Sequence, residues 1–274
     1  MSQTLAKTLD GMMRAITAPL SDRQRDKTVA AFSERLSARQ TADVKTKYGM
    51  LKFQALRSAY TASAIARFFD DEPDCLEWID TTLQAGDVLW DIGANIGLYS
   101  LYASQKQGLK IFSFEPSAFN FALLVEHVAM NKKDDAVNPL CVALSDSTGV
   151  FPLHMANLSV GRAGNGLQEA RTQEGAFKAV FKQSVPAFRG DDAVKLLHIP
   201  TPTHIKLDVD GIEGLILAGM PEILKQVKTV LVEVEGENEK FAADRIDAPL
   251  IAAGLREDMA FRAKGNPRNR LFTR

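Results

Sequence analysis

The sequence feature that most constrains the fold is a short apolar run that ends at an acidic residue and is followed by two glycines. The run at residues 88–90 precedes Asp91, and Gly93 and Gly97 complete the pattern Asp-x-Gly-x-x-x-Gly. A helical pattern starts at Leu98. This order predicts a strand, a tight turn and a helix start, because glycine allows backbone angles and close approaches that a Cβ would block. The N–H groups at a helix start favour polar or anionic ligand groups, so the turn is a candidate ligand site.

The spacing of the turn narrows the choice of ligand. A dinucleotide-binding turn has the pattern Gly-x-Gly-x-x-Gly, whereas position 95 here is Asn. This difference argues against a nicotinamide cofactor. Another nucleotide-type cofactor, or a turn that binds nothing, remains open from this stretch alone.

Strand and helix patterns alternate after the turn. Apolar strand patterns occur at 110–114, 139–144, 203–209 and 229–234, and the last two strands are expected at 255–261 and 269–273. This alternation predicts an α/β fold with a doubly wound, mostly parallel sheet, closed by an antiparallel edge strand. In such sheets ligands bind beyond the carboxyl ends of the strands. Asp91, Glu115 and the pair Ser145–Asp146 are all expected at such ends.

Residues 203–211 place charged side chains on a strand that should be apolar. Lys206, Asp208 and Asp210 alternate with apolar residues and therefore lie on one side of the strand. A central parallel strand is normally apolar on both faces. The charged side is either a structural ion pair between Lys206 and Asp208 or a polar cluster that faces the ligand crevice.

The domain prediction divides the chain at residue 70. Residues 1–70 are expected to form an N-terminal helical extension with a small hairpin, and residues 71–274 the main domain. Apolar residues at helical spacing make residues 1–20 amphipathic, namely Leu5, Leu9, Met12, Met13, Ile16 and Leu20. The extension is interpreted as a cap, a homodimerisation arm or part of a substrate lid.

A glycine-rich segment interrupts the main domain. Residues 156–177 contain four glycines and few large apolar residues, which is typical of a loop. Long loops inside compact domains are usually functional or mobile. The segment is therefore expected to be an acceptor-side loop, with a disordered surface insertion as the alternative.

Composition excludes several classes of protein. The net charge of −1 gives no global attraction to nucleic acid or to an anionic membrane surface. The two cysteines, Cys75 and Cys141, show no disulfide or metal spacing. The sequence shows neither a signal-peptide pattern nor an apolar run long enough to span a bilayer. A cytoplasmic location is expected.

Several motifs together resemble the FkbM family of S-adenosylmethionine (SAM)-dependent methyltransferases over about residues 72–274. The motifs that carry the resemblance are Asp91–Gly97, Phe114-Glu115-Pro116 with Asn120 and Asn131, Ala143–Asp146, Ile205–Glu213 and Asn269–Phe272. The family form usually has Glu where this chain has Asp210, which shortens the reach of that carboxylate. The resemblance implies a seven-stranded class I methyltransferase fold, SAM as cofactor and a hydroxyl acceptor on a sugar, polysaccharide or natural product.

The resemblance also implies roles for individual residues. Gly93, Asn95 and Gly97 would contact the methionine part of SAM, Glu115 its ribose, and Ser145 and Asp146 its adenine. Asp91, Ala94 and Pro116 complete the expected cofactor-binding set.

The charged strand residues supply the expected chemistry. Asp208 is the first candidate for general base or acceptor orienter, and Lys206 could hold it ionised. Asp210 is a further catalytic candidate, and Glu235 is a reserve for the same role. Glu72 is a weaker candidate for a contact with the amine of SAM. The same acids could bind Mg²⁺, which prefers carboxylate oxygens, but no metal ligand is favoured. The alternatives are an NAD(P)-type oxidoreductase and a non-catalytic SAM- or nucleotide-binding module that acts through its N-terminal helices.

Overall fold

The structure, a computed structural model, describes residues 2–274 apart from the side chains of residues 2, 3, 6, 37–39 and 237. The chain forms two compact units, which divide after Thr41. The sequence prediction placed this boundary at residue 70. Residues 42–70 therefore belong to the same unit as the sheet.

The first unit consists of helices α1 (Ser2–Thr17) and α2 (Asp22–Arg39). Leu5, Leu9 and Ile16 of α1 are exposed, as are Val29 and Phe32 of α2. The two helices follow the predicted patterns. Within residues 2–274, no helix combines the length and the apolar content needed to cross a membrane.

The second unit alternates strands and helices. Its helices in chain order are α3 (Ala59–Ala66), α4 (Phe68–Asp71), α5 (Pro73–Thr82), α6 (Leu98–Ala103), α7 (Ala118–Met130), α8 (Gly190–Leu196), α9 (Glu213–Ala218), α10 (Pro221–Leu224), α11 (Ala248–Ala252) and α12 (Met259–Lys264). The strands of the chain are β1 (Thr41–Thr46), β2 (Gly49–Gln54), β3 (Val88–Ile92), β4 (Lys110–Phe114), β5 (Val137–Leu140), β6 (Ala143–Ser145), β7 (Gly149–Met155), β8 (Asn165–Leu167), β9 (Arg171–Thr172), β10 (Gly175–Ala176), β11 (Phe181–Arg189), β12 (His204–Leu207), β13 (Thr229–Glu233), β14 (Arg256–Glu257) and β15 (Asn269–Thr273).

A seven-stranded sheet organises this unit. Its strand order is β5-β4-β3-β12-β13-β15-β14, with the first five strands parallel and β15 antiparallel to both of its neighbours. Alternate residues face opposite apolar cores: Leu89 packs with α5 and α6, and Trp90 packs with α9 and α10. The predicted doubly wound α/β fold of the class I methyltransferase type is confirmed. The strand order reverses between β3 and β12, which is where this architecture places ligands.

A second, four-stranded sheet has the order β6-β11-β7-β8 and explains two differences from prediction. The strand predicted over 139–144 is wrong, because β5 ends at Leu140 and β6 pairs in parallel with β11 instead. The segment 156–177 is not purely a loop, since it contains β8 and the two-stranded pair β9–β10.

The strand predicted over 255–261 is also wrong. Only Arg256 and Glu257 form a strand, and α12 follows. The Asp258 side chain accepts hydrogen bonds from the N–H groups of Ala260 and Phe261, both at 2.9 Å. This N-cap starts a helix where the sequence pattern suggested a longer strand.

A buried polar network lies at the amino end of the sheet, opposite the ligand edge. His204 Nδ1 is 2.7 Å from Thr229 Oγ1, and its Nε2 is 3.1 Å from Asp87 Oδ2. Burial lowers the pKa of His204 below its usual value, so the ring is neutral at pH 7.

His204→Phe is expected to destabilise the protein by about 1–3 kcal/mol, because Asp87 and Thr229 each lose a buried partner. Urea unfolding at neutral pH would measure this change. His204→Gln, which can keep one hydrogen bond, should lose less. An unfolding free energy in His204→Phe equal to that of the wild type would show that the network contributes nothing to stability.

Candidate functional site

A cavity of about 540 Å³ opens at the carboxyl ends of β3, β4, β12 and β13. Its size falls within the range of about 300–1,000 Å³ that is typical of small-molecule sites. One wall comes from α3 and α4, and another from the segment 162–167. Part of the predicted N-terminal extension thus lines the cavity.

The glycine turn after β3 has the strained backbone that its sequence suggests. Gly93, Asn95 and Gly97 have φ angles of 87°, 49° and 85°, and Asn is among the few side chains that tolerate this region. A Cβ at Gly93 would lie 1.7 Å from the backbone oxygen of Asp208, and one at Gly97 would lie 2.3 Å from Leu124 Cδ1. Both glycines are therefore required for close packing within the protein.

The N–H groups of Gly93, Ala94 and Asn95 bind other parts of the protein. Gly93 and Ala94 both donate to the backbone oxygen of Phe114, each at 3.0 Å. The Asn95 N–H donates to Glu115 Oε2 at 2.9 Å. Gly93, Ala94 and Asn95 line the cavity, whereas Gly97 does not.

Glu115 is buried at the end of β4, where it lines the cavity beside Pro116. Its second oxygen, Oε1, accepts the Ser117 N–H at 2.8 Å. Burial raises the pKa of Glu115 to about 7 despite these backbone hydrogen bonds. The carboxyl group is thus held rigidly and titrates near neutral pH.

Asp91 lies behind the turn and does not line the cavity. Its Oδ2 accepts a hydrogen bond from Ser100 Oγ at 2.5 Å. Among the described residues, its buried Oδ1 has no hydrogen-bond partner. A buried carboxylate oxygen without a partner is costly, so it marks a place for a donor from water or a ligand.

Ser145 and Asp146 lie outside the cavity, contrary to their expected place at the edge of the main sheet. Asp146 is exposed, and Ser145 contacts Asp146 and Gln168. The residues 142–144 line the cavity in their place. The reason is the break after β5, which moves this segment into the second sheet.

Lys206 is the centre of a buried charged cluster. Its Nζ lies 2.8 Å from Asp208 Oδ2, 3.8 Å from Glu72 Oε2 and 4.7 Å from the centre of the Tyr99 ring. Burial acts to raise the pKa of Asp208, but the Lys206 charge and hydrogen bonds outweigh it, so this pKa is lowered. Lys206, Asp208 and Glu72 all line the cavity. The charged side of β12 therefore faces the crevice.

Asp210 also lines the cavity, but its carboxylate binds the glycine-rich segment. Its Oδ2 accepts the Gly164 N–H at 2.6 Å, and its Oδ1 accepts Gln173 Nε2 at 3.3 Å. The same segment is also held by Asn120, whose Oδ1 accepts the Gly161 N–H at 2.7 Å. Burial raises the pKa of Asp210. Its position suits an anchor for this segment better than a base.

Glu233 and Arg268 line the cavity without having been assigned a role from the sequence. Arg268 Nη1 lies 2.7 Å from Glu235 Oε2 and 3.3 Å from Glu233 Oε1. Glu233 lies at the carboxyl end of a strand, as Glu115 does, and this position in the sequence could have identified it as a site residue. In the sequence, Arg268 is one of several basic residues near the C-terminus, a pattern typical of a solvated edge: Arg262, Lys264, Arg268, Arg270 and Arg274. Only the antiparallel return of β15 brings Arg268 to the site.

No group of three or more His, Cys, Asp or Glu side chains in the described part of the chain is arranged to hold a metal ion. Four acids of the cavity pair with basic residues: Glu72 and Asp208 with Lys206, and Glu233 and Glu235 with Arg268.

Comparison with known proteins identifies the family of this chain. Residues 91–262 match the model of the methyltransferase FkbM domain. The chain belongs to the FkbM methyltransferase family. The resemblance inferred from the sequence motifs is thereby confirmed.

Two curated relatives show how far the similarity extends. The chain is 31% identical over 163 residues to the hexuronic acid methyltransferase AglP of Haloferax volcanii, a match that covers 60% of this chain and 62% of AglP. It is 29% identical to the methyltransferase sdnD of Sordaria araneosa over 55% of this chain and 67% of sdnD. The chain thus spans less than two-thirds of AglP. A solved FkbM methyltransferase from Methylobacillus flagellatus KT is 14% identical, with a TM-score of 0.47, over 90% of this chain and 59% of that one.

Proposed function

We propose that this chain transfers a methyl group from SAM to a hydroxyl group of a sugar or a related natural product. The observation that carries the proposal is the common cavity, in which the glycine turn and Glu115 lie on one side and the Lys206–Asp208 pair on the other. Family membership supports methyl transfer, and the similarity to AglP, a hexuronic acid methyltransferase, supports a sugar acceptor.

The lining of the cavity fits SAM. Glu115 would accept hydrogen bonds from the ribose hydroxyls, because its rigid carboxylate faces the cavity. Pro116 and residues 142–144 would hold the adenine, and we assign that role to them in place of Ser145 and Asp146. The Glu72 carboxylate, which lines the cavity, would accept hydrogen bonds from the SAM ammonium group.

Asp208 would act on the acceptor. Bound SAM supplies an electrophilic methyl group on a sulfonium sulfur. Asp208 would accept a hydrogen bond from the acceptor hydroxyl and take its proton as the bond from oxygen to the methyl carbon forms and the bond from that carbon to sulfur breaks, with its electron pair left on sulfur. Because the pKa of Asp208 is lowered, it is a weak base, and its main contributions are orientation and late proton transfer. Lys206 keeps Asp208 ionised and aligned.

The proposal is tested by turnover with a matched pair of acceptors. The protein is incubated with SAM and 4-nitrophenyl glucuronide or 4-nitrophenyl glucoside, and products are identified by mass spectrometry. We expect S-adenosylhomocysteine (SAH) and an O-methylated sugar from at least one of them. In parallel, SAH should raise the melting temperature and NADH should not. Stabilisation by NADH alone would favour the oxidoreductase alternative, and SAH binding without transfer to a broader sugar panel would favour a binding module.

The pKa of Glu115 predicts a pH dependence for cofactor binding. Ribose hydroxyls donate hydrogen bonds, so they favour the ionised carboxylate, which predominates above about pH 7. The affinity for SAH should therefore rise between about pH 6 and pH 8, by up to about tenfold per unit below the pKa. Calorimetry over this range measures the change. Glu115→Gln should flatten the profile, and an unaltered slope in that variant would assign the titration to another group.

A further inference from the structure

Glu233 and Asp208 end two neighbouring parallel strands. Leu207 of β12 is in register with Val232 of β13, so the next residues, Asp208 and Glu233, lie side by side at the ligand edge. Both line the cavity, and their side chains are only 26% and 12% exposed, so the two carboxyl groups are neighbours in a largely buried place. Two neighbouring buried carboxyl groups repel each other when both are ionised, so one of them keeps a proton, which it can donate to the other in a hydrogen bond. The pair therefore holds one proton between its two members.

The surroundings decide which member carries this proton. Asp208 has the buried Lys206 ammonium group at 2.8 Å. The nearest cation to Glu233 is Arg268 at 3.3 Å, and that guanidinium lies closer to Glu235. The positive charge thus favours ionisation of Asp208 over Glu233.

The remaining neighbours act in the same direction. Burial, followed by the negative charges of Asp208 and Glu72, raises the pKa of Glu233 to about 10, while Lys206 opposes this rise. The pKa of Lys206 is raised well above its usual value, so it keeps its charge over the same pH range. At neutral pH, Glu233 is a neutral donor and Asp208 an ionised acceptor.

We propose that Glu233 is a positioning residue. It stays protonated, and its O–H group donates a hydrogen bond that holds the Asp208 carboxylate toward the acceptor hydroxyl. This inference rests on the proposed methyl transfer. The proton of Glu233 stays in place during the reaction, and the hydroxyl proton of the acceptor passes to Asp208. Loss of the Glu233 proton would set two anions side by side, and their repulsion would turn Asp208 away from the acceptor.

Two substitutions separate the donor role from a need for negative charge. Glu233→Gln keeps an N–H donor of similar shape, so kcat near pH 7 should stay within about threefold of the wild type. Glu233→Ala removes the donor and should lower kcat by at least about tenfold, as expected for loss of a hydrogen bond to a charged group. If Glu233→Gln and Glu233→Ala lower kcat by the same factor, the positioning role is overturned.

The pH profile gives a readout that a purely structural role would not move. The kcat of the wild type should fall above about pH 10, where Glu233 ionises, and this fall should be absent from Glu233→Gln. Glu235→Gln is the matched control on the same side of the sheet, since Glu235 also pairs with Arg268, and it should keep the fall. If the fall in kcat at alkaline pH persists in Glu233→Gln, the proposal is contradicted.

Infrared difference spectroscopy of the protein without substrate tests the proton itself. The wild type at about pH 7 should show the carbonyl stretch of a protonated carboxylic acid that Glu233→Gln lacks, and this band should vanish by about pH 11. Absence of the band would overturn the pairing directly. Presence of the band in a protein that transfers no methyl group would leave the pairing intact and overturn the proposed function, so the two failures are distinguishable.

Discussion

Asp208→Asn is expected to lower kcat for methyl transfer by about 10²- to 10⁴-fold, the usual contribution of a positioned acid–base group. The amide has no negative charge to receive the hydroxyl proton, and it also loses the ion pair with Lys206 at 2.8 Å. The affinity for SAH should change by no more than about threefold, because in the proposed reaction Asp208 acts on the acceptor rather than on the cofactor. Steady-state kinetics and calorimetry measure the two quantities.

The control for this variant is Asp192→Asn on α8, which lies outside the cavity and accepts a hydrogen bond from Thr148. It should retain wild-type kcat. Breaking one partner of a buried pair can cost about 3–5 kcal/mol of stability, so circular dichroism must first show that Asp208→Asn is folded. A folded variant with kcat within about fivefold of the wild type would remove Asp208 from the chemistry.

Glu115→Ala is expected to weaken SAH binding by about 10- to 100-fold. The estimate follows from the loss of at least one hydrogen bond to a charged group, which contributes about 1.5–3 kcal/mol. The substitution also leaves the N–H groups of Asn95 and Ser117 without their acceptor, so the turn itself loses support. Calorimetry near pH 8, where the Glu115 carboxylate of the wild type is ionised, should show the largest difference in SAH affinity between the wild type and Glu115→Ala.

Asp146→Ala is the matched variant, because the sequence assigned that residue to the adenine and the structure leaves it exposed outside the cavity. It should bind SAH within about twofold of the wild type. Equal losses in Asp146→Ala and Glu115→Ala would restore the assignment made from the sequence and contradict the cavity boundaries described above.

The sequence could predict the features that depend on local pattern. The run before Asp91 and the spacing of Gly93 and Gly97 indicated the strand, the turn and the helix. The alternation of Lys206 and Asp208 with apolar residues indicated either a structural ion pair or a polar cluster that faces the crevice. These features are encoded within a few residues, so local periodicity and glycine placement are enough to find them.

The remaining features depend on contacts distant in sequence. The role of Gly93 is to admit the backbone of Asp208, and no local pattern shows that approach. Ser145 leaves the expected edge because β6 pairs with β11 rather than with β5. Arg268 reaches the cavity because β15 returns antiparallel to β13. Each difference arises from strand pairing, which a single sequence specifies only weakly.

The central claim is that SAM binds in the cavity between Glu115 and Asp208. A crystal structure of the protein with SAH tests this claim most directly. We predict ribose hydroxyls within hydrogen-bond distance of the Glu115 carboxylate, adenine beside Pro116 and residues 142–144, and the sulfur atom facing the side of the cavity that carries Asp208. SAH bound outside this cavity, or bound with its ribose away from Glu115, would contradict the account.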